Sequence, residues 1–158
     1  MMTRTRPLRQ ALLRDRLDHL AATFDVSTIS PDPLELVLRY DDPLDQEVAG
    51  LLAAAFAYGR ADIIVANIGR MLDAMGPSPY AYLASFDAAA GSRRFAGFAH
   101  RFHKTPELVE LLACVSLAIR EHGSLGELFR KCYSPSDADI AASLVRFVNA
   151  FGAPVSSP

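Results

Sequence analysis

The chain has 158 residues, of which 51% are apolar and 22% are charged, and its formal net charge is -2. These values suit one compact domain with a hydrophobic core, and they exclude an intrinsically disordered chain. They also argue against a protein coated with cations for polyanion binding, although they are compatible with a local basic face. The longest uncharged apolar run, Val48–Tyr58, is too short for a membrane span, so no membrane partner is expected.

Apolar residues recur at helical spacing along almost the whole chain, and no stretch shows the alternation of a strand. We predict an all-α fold, a compact orthogonal bundle of about seven to eight helices in a single domain over residues 1–158. The predicted helices span residues 7–24, 33–39, 43–58, 61–75, 79–85, 106–122, 125–132 and 137–150. The segment 87–104 is less regular and is predicted to hold a short helix within a loop.

Helix starts and stops are marked by residue type. An oxygen-bearing cap precedes proline at Asp32-Pro33, Asp42-Pro43, Ser78-Pro79 and Thr105-Pro106. Such a cap accepts an orphan backbone N–H, and proline lacks the N–H that would go unbonded at the first helical position. Glycines suited to a left-handed stop follow periodic segments at Gly59, Gly76, Gly123 and Gly152.

The helix predicted for residues 43–58 is apolar on nearly every side, which is typical of the centre of a bundle. Gly50 and Ala54 lie one turn apart and are expected to form a face that a neighbouring backbone approaches closely. A large residue at position 54 should then overpack the core at a cost of about 1–3 kcal/mol.

Charge is distributed unevenly, and three stretches stand out. The first basic stretch comprises Arg4, Arg6, Arg9, Arg14 and Arg16; the second comprises Arg93, Arg94, His100, Arg101, His103 and Lys104; the acidic stretch comprises Asp32, Glu35, Asp41, Asp42, Asp45 and Glu47. Such runs are usually solvated faces. Acid–base chemistry is an alternative for the carboxylates, but helix caps and first-turn positions explain them better.

Two further patterns concern metals and thiols. His100 and His103 are three residues apart, so on a helix they would share a face and hold one metal ion, with Glu107 or Glu110 as a third ligand. Lys104 beside the pair would oppose a cation, and a basic loop facing phosphate is the alternative. Cys114 and Cys132 form no CxxC pair and are expected to be reduced thiols in a cytoplasmic protein. We predict no metal and no cofactor.

Aromatic residues next to basic ones are the last candidate site. Tyr58 precedes Arg60, and three phenylalanines lie among the arginines of segment 93–102. This combination can stack bases and grip phosphates, whereas the alternative is core aromatics beside surface arginines.

Four motifs occur in order along the chain: DPLELVLRY, then DPLDQEVAGL with AYGR at the end of the same helix, then GFAHRF and REHGSL. Through these motifs, residues 32 to about 125 resemble a bacterial family known as domain of unknown function 2400. The resemblance implies membership of that family and, because the family has no settled function, implies no activity.

That family is in turn distantly similar to the helix-hairpin-helix DNA glycosylases, in which an apolar helix breaks at a polar stretch that reaches DNA. AFAYGRAD occupies the corresponding break here, with Tyr58 and Gly59 where the glycosylases carry glutamines. The resemblance implies that family chains continue past residue 158 with the hairpin region and a Leu-Asp-Thr-His stretch. We therefore expect this chain to be the N-terminal part of a larger helical fold, incomplete at its C-terminus and catalytically inert alone.

Three functional hypotheses follow. The first is a DNA-associated protein of glycosylase-like architecture that lacks the catalytic region; its contact residues are Tyr58, Gly59, Arg60, His100, Arg101 and His103. The second is a helical interaction module that binds a partner or a second copy through an uncovered apolar face. The third is a metal-dependent hydrolase that uses the two histidines.

Overall fold

A computed structural model describes the backbone of residues 5–152 and the side chains of residues 9–151. Arg4 and residues 153–158 lie outside the described residues, as does the side chain of Arg6. The elements in chain order are α1 (Thr5–Thr23), α2 (Leu34–Val37), α3 (Pro43–Ala55), α4 (Ala61–Met75), α5 (Pro79–Ala84), α6 (Ala88–Arg94), β1 (Ala99–His100), β2 (His103–Lys104), α7 (Thr105–His122), α8 (Leu125–Cys132) and α9 (Ala141–Gly152). A 3-10 turn, Val26–Thr28, follows α1.

The predicted all-α bundle is confirmed, with one local exception. β1 and β2 form a two-stranded antiparallel hairpin in which His100 pairs with His103. The expectation of no strand is therefore wrong at residues 99–104, where strands of two residues are too short to show an alternating pattern. The short helix predicted in this segment is confirmed as α6, and the Asp87 carboxylate caps it by accepting from the Ala90 N–H at 2.7 Å.

Three of the four predicted helix starts carry the expected hydrogen bond. Asp32, Asp42 and Ser78 each accept a backbone N–H from the first turn of the helix that follows. Thr105 does not act as a cap, because its hydroxyl donates to the Phe95 carbonyl at 2.8 Å and so ties α7 to the chain after α6. The first turn of α7 is instead closed by Glu107, whose carboxylate accepts from the Lys104 N–H at 2.9 Å.

Two of the four predicted helix stops are confirmed. Gly76 and Gly123 directly follow α4 and α7 with φ of 93° and 86°. Gly59 also has positive φ, at 120°, but α3 ends earlier than predicted, at Ala55. Gly152 does not stop a helix at 150, because it is the last residue of α9. α9 also starts later than predicted, since Asp139 accepts from the Ala141 N–H.

The core lies among α2, α3, α4, α5, α7 and α8. Its fully buried side chains include Leu36, Val48, Leu52, Ile68, Leu72, Leu83, Leu108, Leu112 and Val115. α3 contributes to this core with one face only: Ala49 and Ala53 are buried, whereas Ala54 and Ala55 are exposed. The prediction that α3 is buried on every side, and that Ala54 is a close-packed position, is therefore wrong. Alanine costs little when exposed, so an alanine-rich helix need not be covered all round.

Two acidic residues of the first turns of α3 connect helices. The Asp45 carboxylate is buried and accepts hydrogen bonds from the Ser78 hydroxyl at 2.7 Å and the Tyr80 N–H at 2.9 Å. The Glu47 carboxylate accepts from the Gly126 N–H at 3.0 Å. These bonds join the N-terminal part of α3 to α5 and α8, which is a structural use of carboxylates that the sequence pattern did not predict.

The two terminal helices have exposed apolar faces. On α1, Leu12, Leu13, Leu17 and Leu20 are about half exposed, and on α9, Leu144, Val145 and Val148 are exposed to a similar degree. The opposite side of α9 packs inward through Phe147 and Phe151. Along residues 5–152, every helix is too short or too polar to cross a lipid bilayer.

Candidate functional site

The break between α3 and α4 lies against the β1–β2 hairpin and forms an aromatic cluster with it. The Tyr58 hydroxyl is 2.5 Å from Nδ1 of His103. The ring of Tyr58 also contacts that of His100, with centroids 4.9 Å apart, and Phe56 packs edge-on against both histidines. Because the hairpin register places His100 opposite His103, both imidazoles reach the same tyrosine.

Tyr58 is protonated at neutral pH. Burial of its hydroxyl raises its pKa above the ordinary value, and the nearby Arg101 cation partly offsets this rise by lowering it. A phenol in this state can donate to Nδ1 of His103 or accept from it, and either bond joins the break between α3 and α4 to β2. The bond fixes the orientation of the Tyr58 ring, which is half-buried and keeps part of its surface open to solvent.

His100 is almost fully buried, with 1% of its surface exposed, and its ring orientation is set from α4. Its Nδ1 lies 3.1 Å from Nδ2 of Asn67, and Oδ1 of Asn67 accepts from Nη2 of Arg70 at 2.5 Å. A guanidinium only donates, so Asn67 must turn its oxygen toward Arg70 and its amide nitrogen toward His100. Nδ1 of His100 is then an acceptor, and the neutral ring carries its proton on Nε2, which is buried without a partner in the described chain.

Gly59 and Arg101 are in close contact. Arg101 lies at the tip of the hairpin with φ of 52°, in the left-handed region. A Cβ placed on Gly59 would be 2.8 Å from Nε and 2.9 Å from Nη2 of Arg101. The guanidinium therefore lies over the backbone at residue 59, a position open only because that residue has no side chain.

Arg60 is oriented differently. Its guanidinium forms a bidentate pair with Asp62, with Nη2–Oδ2 at 2.6 Å and Nε–Oδ1 at 3.1 Å, and both side chains are largely exposed. This pairing, through the hydrogen bond from Arg60, lowers the pKa of Asp62. The structure thus brings five of the six predicted contact residues together, Tyr58, Gly59, His100, Arg101 and His103, and pairs the sixth with a neighbouring carboxylate.

The two histidines of the metal-site alternative do not have the predicted helical arrangement. His100 and His103 lie on opposite strands of the hairpin and not on one helical face, so the prediction of a helical H-x-x-H pair is wrong. Glu107, a predicted third ligand, caps the Lys104 N–H, and this bond lowers its pKa. Within the described part of the chain, no three His, Cys, Asp or Glu residues are grouped to hold a metal ion. Cys114 and Cys132 are free thiols, as predicted, and burial raises the pKa of Cys114.

The chain segment that carries α6 and the hairpin is basic. From Ala88 to Lys104 the chain holds Arg93, Arg94, Arg101 and Lys104 and no carboxylate. Among residues 9–151, the arginines that form ion pairs are Arg39, Arg60, Arg130 and Arg146. The cations of segment 88–104 make none, and neither does Arg70 of α4.

A cleft continues this surface, and sequence reasoning missed it. It has a volume of about 260 Å³ and lies between α4 and residues 94–99, with Asn67, Arg70 and Arg94 among its lining residues. Asn67 joins the cleft to the aromatic cluster through His100. The available signal was weak: Asn67 and Arg70 are three residues apart and so share a face of a helix, but polar pairs at this spacing are common on exposed helices.

Comparison with known proteins identifies the family. No curated protein and no solved structure matches the chain. A family model described as "Protein of unknown function (DUF2400)" matches residues 32–157, a span that includes α2 to α9, the aromatic cluster and the cleft. The family resemblance of the sequence motifs is thereby confirmed: the chain belongs to DUF2400, a family of proteins of unknown function.

Proposed function

We propose that this protein binds nucleic acid through the surface formed by Tyr58, Gly59, Arg101 and His103. The observation that carries the proposal is the position of Arg101. Its guanidinium lies on the backbone of Gly59, next to the ring of Tyr58, and it has no carboxylate partner in the described chain. A cation held in this way is available to a phosphate, because no internal anion neutralises it.

The distribution of charge supports the same surface. Arg70, Arg93, Arg94 and Lys104 add four cations that make no ion pair among residues 9–151. An excess of cations along one segment gives a local positive potential even though the net charge of the chain is -2. Arg60 is expected to contribute less than Arg101 to phosphate binding, since Asp62 already neutralises it.

Tyr58 supplies the second element of a nucleic-acid site. Its hydroxyl is fixed by His103 and its ring is packed against His100, so little side-chain entropy is lost when a base stacks on its open surface. His100 is buried and acts in this proposal by positioning Tyr58, whereas His103 lies at the surface beside it. Two parts of this proposal, that the ligand is DNA and that the architecture is glycosylase-like, rest on the resemblance of the AFAYGRAD break to the helix break of the DNA glycosylases.

The proposal is tested by the fluorescence anisotropy of labelled DNA oligonucleotides at several salt concentrations. Affinity is expected to fall as salt rises, because each phosphate contact releases counterions, and Arg101→Ala should reduce the salt slope by about 1. Arg130→Ala is the control, since Arg130 is also exposed but is paired with Glu127 on α8. An Arg101→Ala protein with unchanged affinity at every salt concentration would rule out the assignment.

A second variant tests the contact between Gly59 and Arg101. Gly59→Ala strains the backbone and displaces the guanidinium, whereas Gly76→Ala strains a backbone with similarly positive φ and meets no atom within 4 Å. Both variants should lose stability, but only Gly59→Ala should lose DNA affinity when each is measured under conditions where it is folded. Equal DNA affinities in the two variants would contradict the proposal that Gly59 leaves space for the Arg101 guanidinium.

A second candidate function is self-association through α1. The observation that favours it is the row Leu12, Leu13, Leu17 and Leu20, which is about half exposed along a helix of 19 residues. Rows of this kind on soluble proteins mark contact surfaces. Sedimentation should show a concentration-dependent dimer that Leu13→Glu with Leu17→Glu abolishes. The matched control is Leu34→Glu with Leu38→Glu, at two leucines of comparable exposure. A protein that is monomeric at all concentrations and binds no apolar dye would count against it.

A further inference from the structure

The cleft between α4 and residues 94–99 is a basic cavity with no acidic residue in its wall. It is lined by Asn67, Arg70, Met71, Ala74, Arg94, Phe95, Ala96, Gly97, Phe98 and Ala99. At about 260 Å³ it lies slightly below the usual range of about 300–1,000 Å³ for small-molecule sites. This volume suits a small ligand, and the two arginines favour an anionic one.

Both arginines of the cleft are held by uncharged acceptors. Arg70 donates from Nε to the Ala66 carbonyl at 3.2 Å and from Nη2 to Oδ1 of Asn67 at 2.5 Å. Arg94 donates from Nε to the Ala74 carbonyl, and its guanidinium lies 5.7 Å from the centre of the Tyr82 ring. These contacts fix the two side chains without neutralising them, so the cleft keeps two positive charges and several N–H donors.

Asp73 precedes the lining residue Ala74 on α4, and its carboxylate is already paired. Its carboxylate lies 3.4 Å from Nη1 of Arg39, which projects from the end of α2 toward this helix. Each of the two arginines keeps free N–H donors, and the planar fork of a guanidinium matches the oxygens of a phosphate group. A phosphomonoester carries a charge of about -1.5 to -2 at pH 7 and so gains more from two cations than a phosphodiester of the strand interior.

We propose that the cleft binds a phosphomonoester, as found at the terminus of a nucleic-acid strand or on a free nucleotide. This inference rests on the proposed function, which it deepens by naming the part of the ligand that the cleft takes. Asn67 contacts Arg70 in the cleft and also His100, which packs against Tyr58, so the cleft is connected to the stacking residue through two side chains.

The test compares oligonucleotides of one sequence that end in a 5′ phosphate, a 3′ phosphate or hydroxyl groups only. Tighter binding of one phosphorylated form, by about tenfold, is expected from charge-assisted contacts to two arginines. Arg70→Ala with Arg94→Ala should remove this preference. Because Arg94 also donates to the Ala74 carbonyl, the alanine variant could lose stability. Arg70→Lys and Arg94→Lys are milder variants that keep the positive charge but lose the planar fork of the guanidinium. They should reduce the preference for the phosphorylated oligonucleotide while the unfolding temperature stays unchanged.

Calorimetry with adenosine monophosphate, adenosine and inorganic phosphate separates the two sources of the ligand. Binding of the monophosphate but not of adenosine, lost in the double alanine variant, supports the cleft assignment. If that result comes with no oligonucleotide binding, the ligand is a free nucleotide and the proposed nucleic-acid function fails. If phosphorylated and hydroxyl-ended oligonucleotides bind equally and Arg101→Ala weakens both, the cleft assignment is overturned and the nucleic-acid function stands. A preference for phosphorylated oligonucleotides that survives in the double alanine variant and in the lysine variants would also overturn the cleft assignment.

Discussion

α4 and α1 both carry apolar residues at helical spacing, but α1 is the more polar helix and the surroundings of the two differ. α4 buries Ile64, Ile68 and Leu72 in the core and turns Asn67 and Arg70 outward, where they line the cleft. α1 carries leucines at the same kind of spacing, yet Leu13 and Leu17 remain more than half exposed. The difference teaches that periodicity predicts which residues share a face, whereas long-range packing decides whether that face is covered.

The comparison is tested most strongly by one substitution in each helix. Leu72 is fully buried, so Leu72→Ala removes packed methyl groups, leaves a cavity and should lower the free energy of unfolding by about 2–5 kcal/mol. Leu17→Ala removes the same atoms from a side chain that is 55% exposed and should change that free energy by less than about 0.5 kcal/mol. Urea unfolding followed by circular dichroism measures both. Similar losses would show that α1 is covered in solution.

Neighbouring alanines of α3 make the same comparison within one helix. Ala53 is 4% exposed and Ala54 lies on the exposed side. Ala53→Leu should overpack the core and lower the free energy of unfolding by about 1–3 kcal/mol. Ala54→Leu should have almost no effect, contrary to what the sequence alone predicts. Thermal unfolding of the two variants distinguishes these outcomes, and a larger loss for Ala54→Leu would refute the orientation of α3.

A third test concerns the polar side of the covered region. Asp45→Ala leaves the Ser78 hydroxyl and the Tyr80 N–H without their acceptor and should cost about 1–3 kcal/mol of unfolding free energy. Asp45→Asn keeps an accepting oxygen of the same shape and should cost less. The pair is measured by chemical denaturation. Equal costs would mean that the charge of Asp45, and not its two hydrogen bonds, stabilises the junction of α3 and α5.

The smallest expected effect is at α9, which packs inward on one side and is exposed on the other. Arg146 of α9 donates to the Cys132 carbonyl at 2.7 Å and pairs with Asp137, and this pairing, followed by the hydrogen bond from Ser143, lowers the pKa of Asp137. A lowered pKa contributes stability above the unfolded-state value, and that stability is lost as pH falls through the folded-state value. The difference in unfolding temperature between the parent protein and Asp137→Asn should therefore be largest near neutral pH and shrink below about pH 4. A difference in unfolding temperature that does not change with pH would contradict a stabilising role for the Asp137 carboxylate.

Much of the fold could be predicted because its signals are local. A cap such as Asp42 or Ser78 satisfies an N–H two or three residues away, and Gly76 ends a helix by its own backbone conformation. The hairpin at residues 99–104 could not be predicted, because it is held by pairing between strands of two residues. The exposed face of α3 was missed because alanine gives little information about burial.

The candidate site was predicted in part for the same reason. Tyr58, Gly59 and Arg101 stand out by residue type and by their place in the family motifs, but the contact between Gly59 and Arg101 joins distant parts of the chain. Asn67 and Arg70 were missed because nothing local distinguishes them from solvent-exposed residues of an amphipathic helix. They come to line one cleft only when the chain after α6 folds back beside α4.

The hydrogen bonds from Arg70 through Asn67 to His100 make three side-chain orientations depend on one another. Arg70 fixes the amide of Asn67, and this amide fixes which nitrogen of His100 carries the proton. If the proposed anion takes donors of Arg70 away from Asn67, the amide of Asn67 is free to rotate. Occupancy of the cleft would then be linked to the tautomer of the imidazole packed against Tyr58, and a ligand that favours one tautomer would be coupled to the anion by the same factor in both directions.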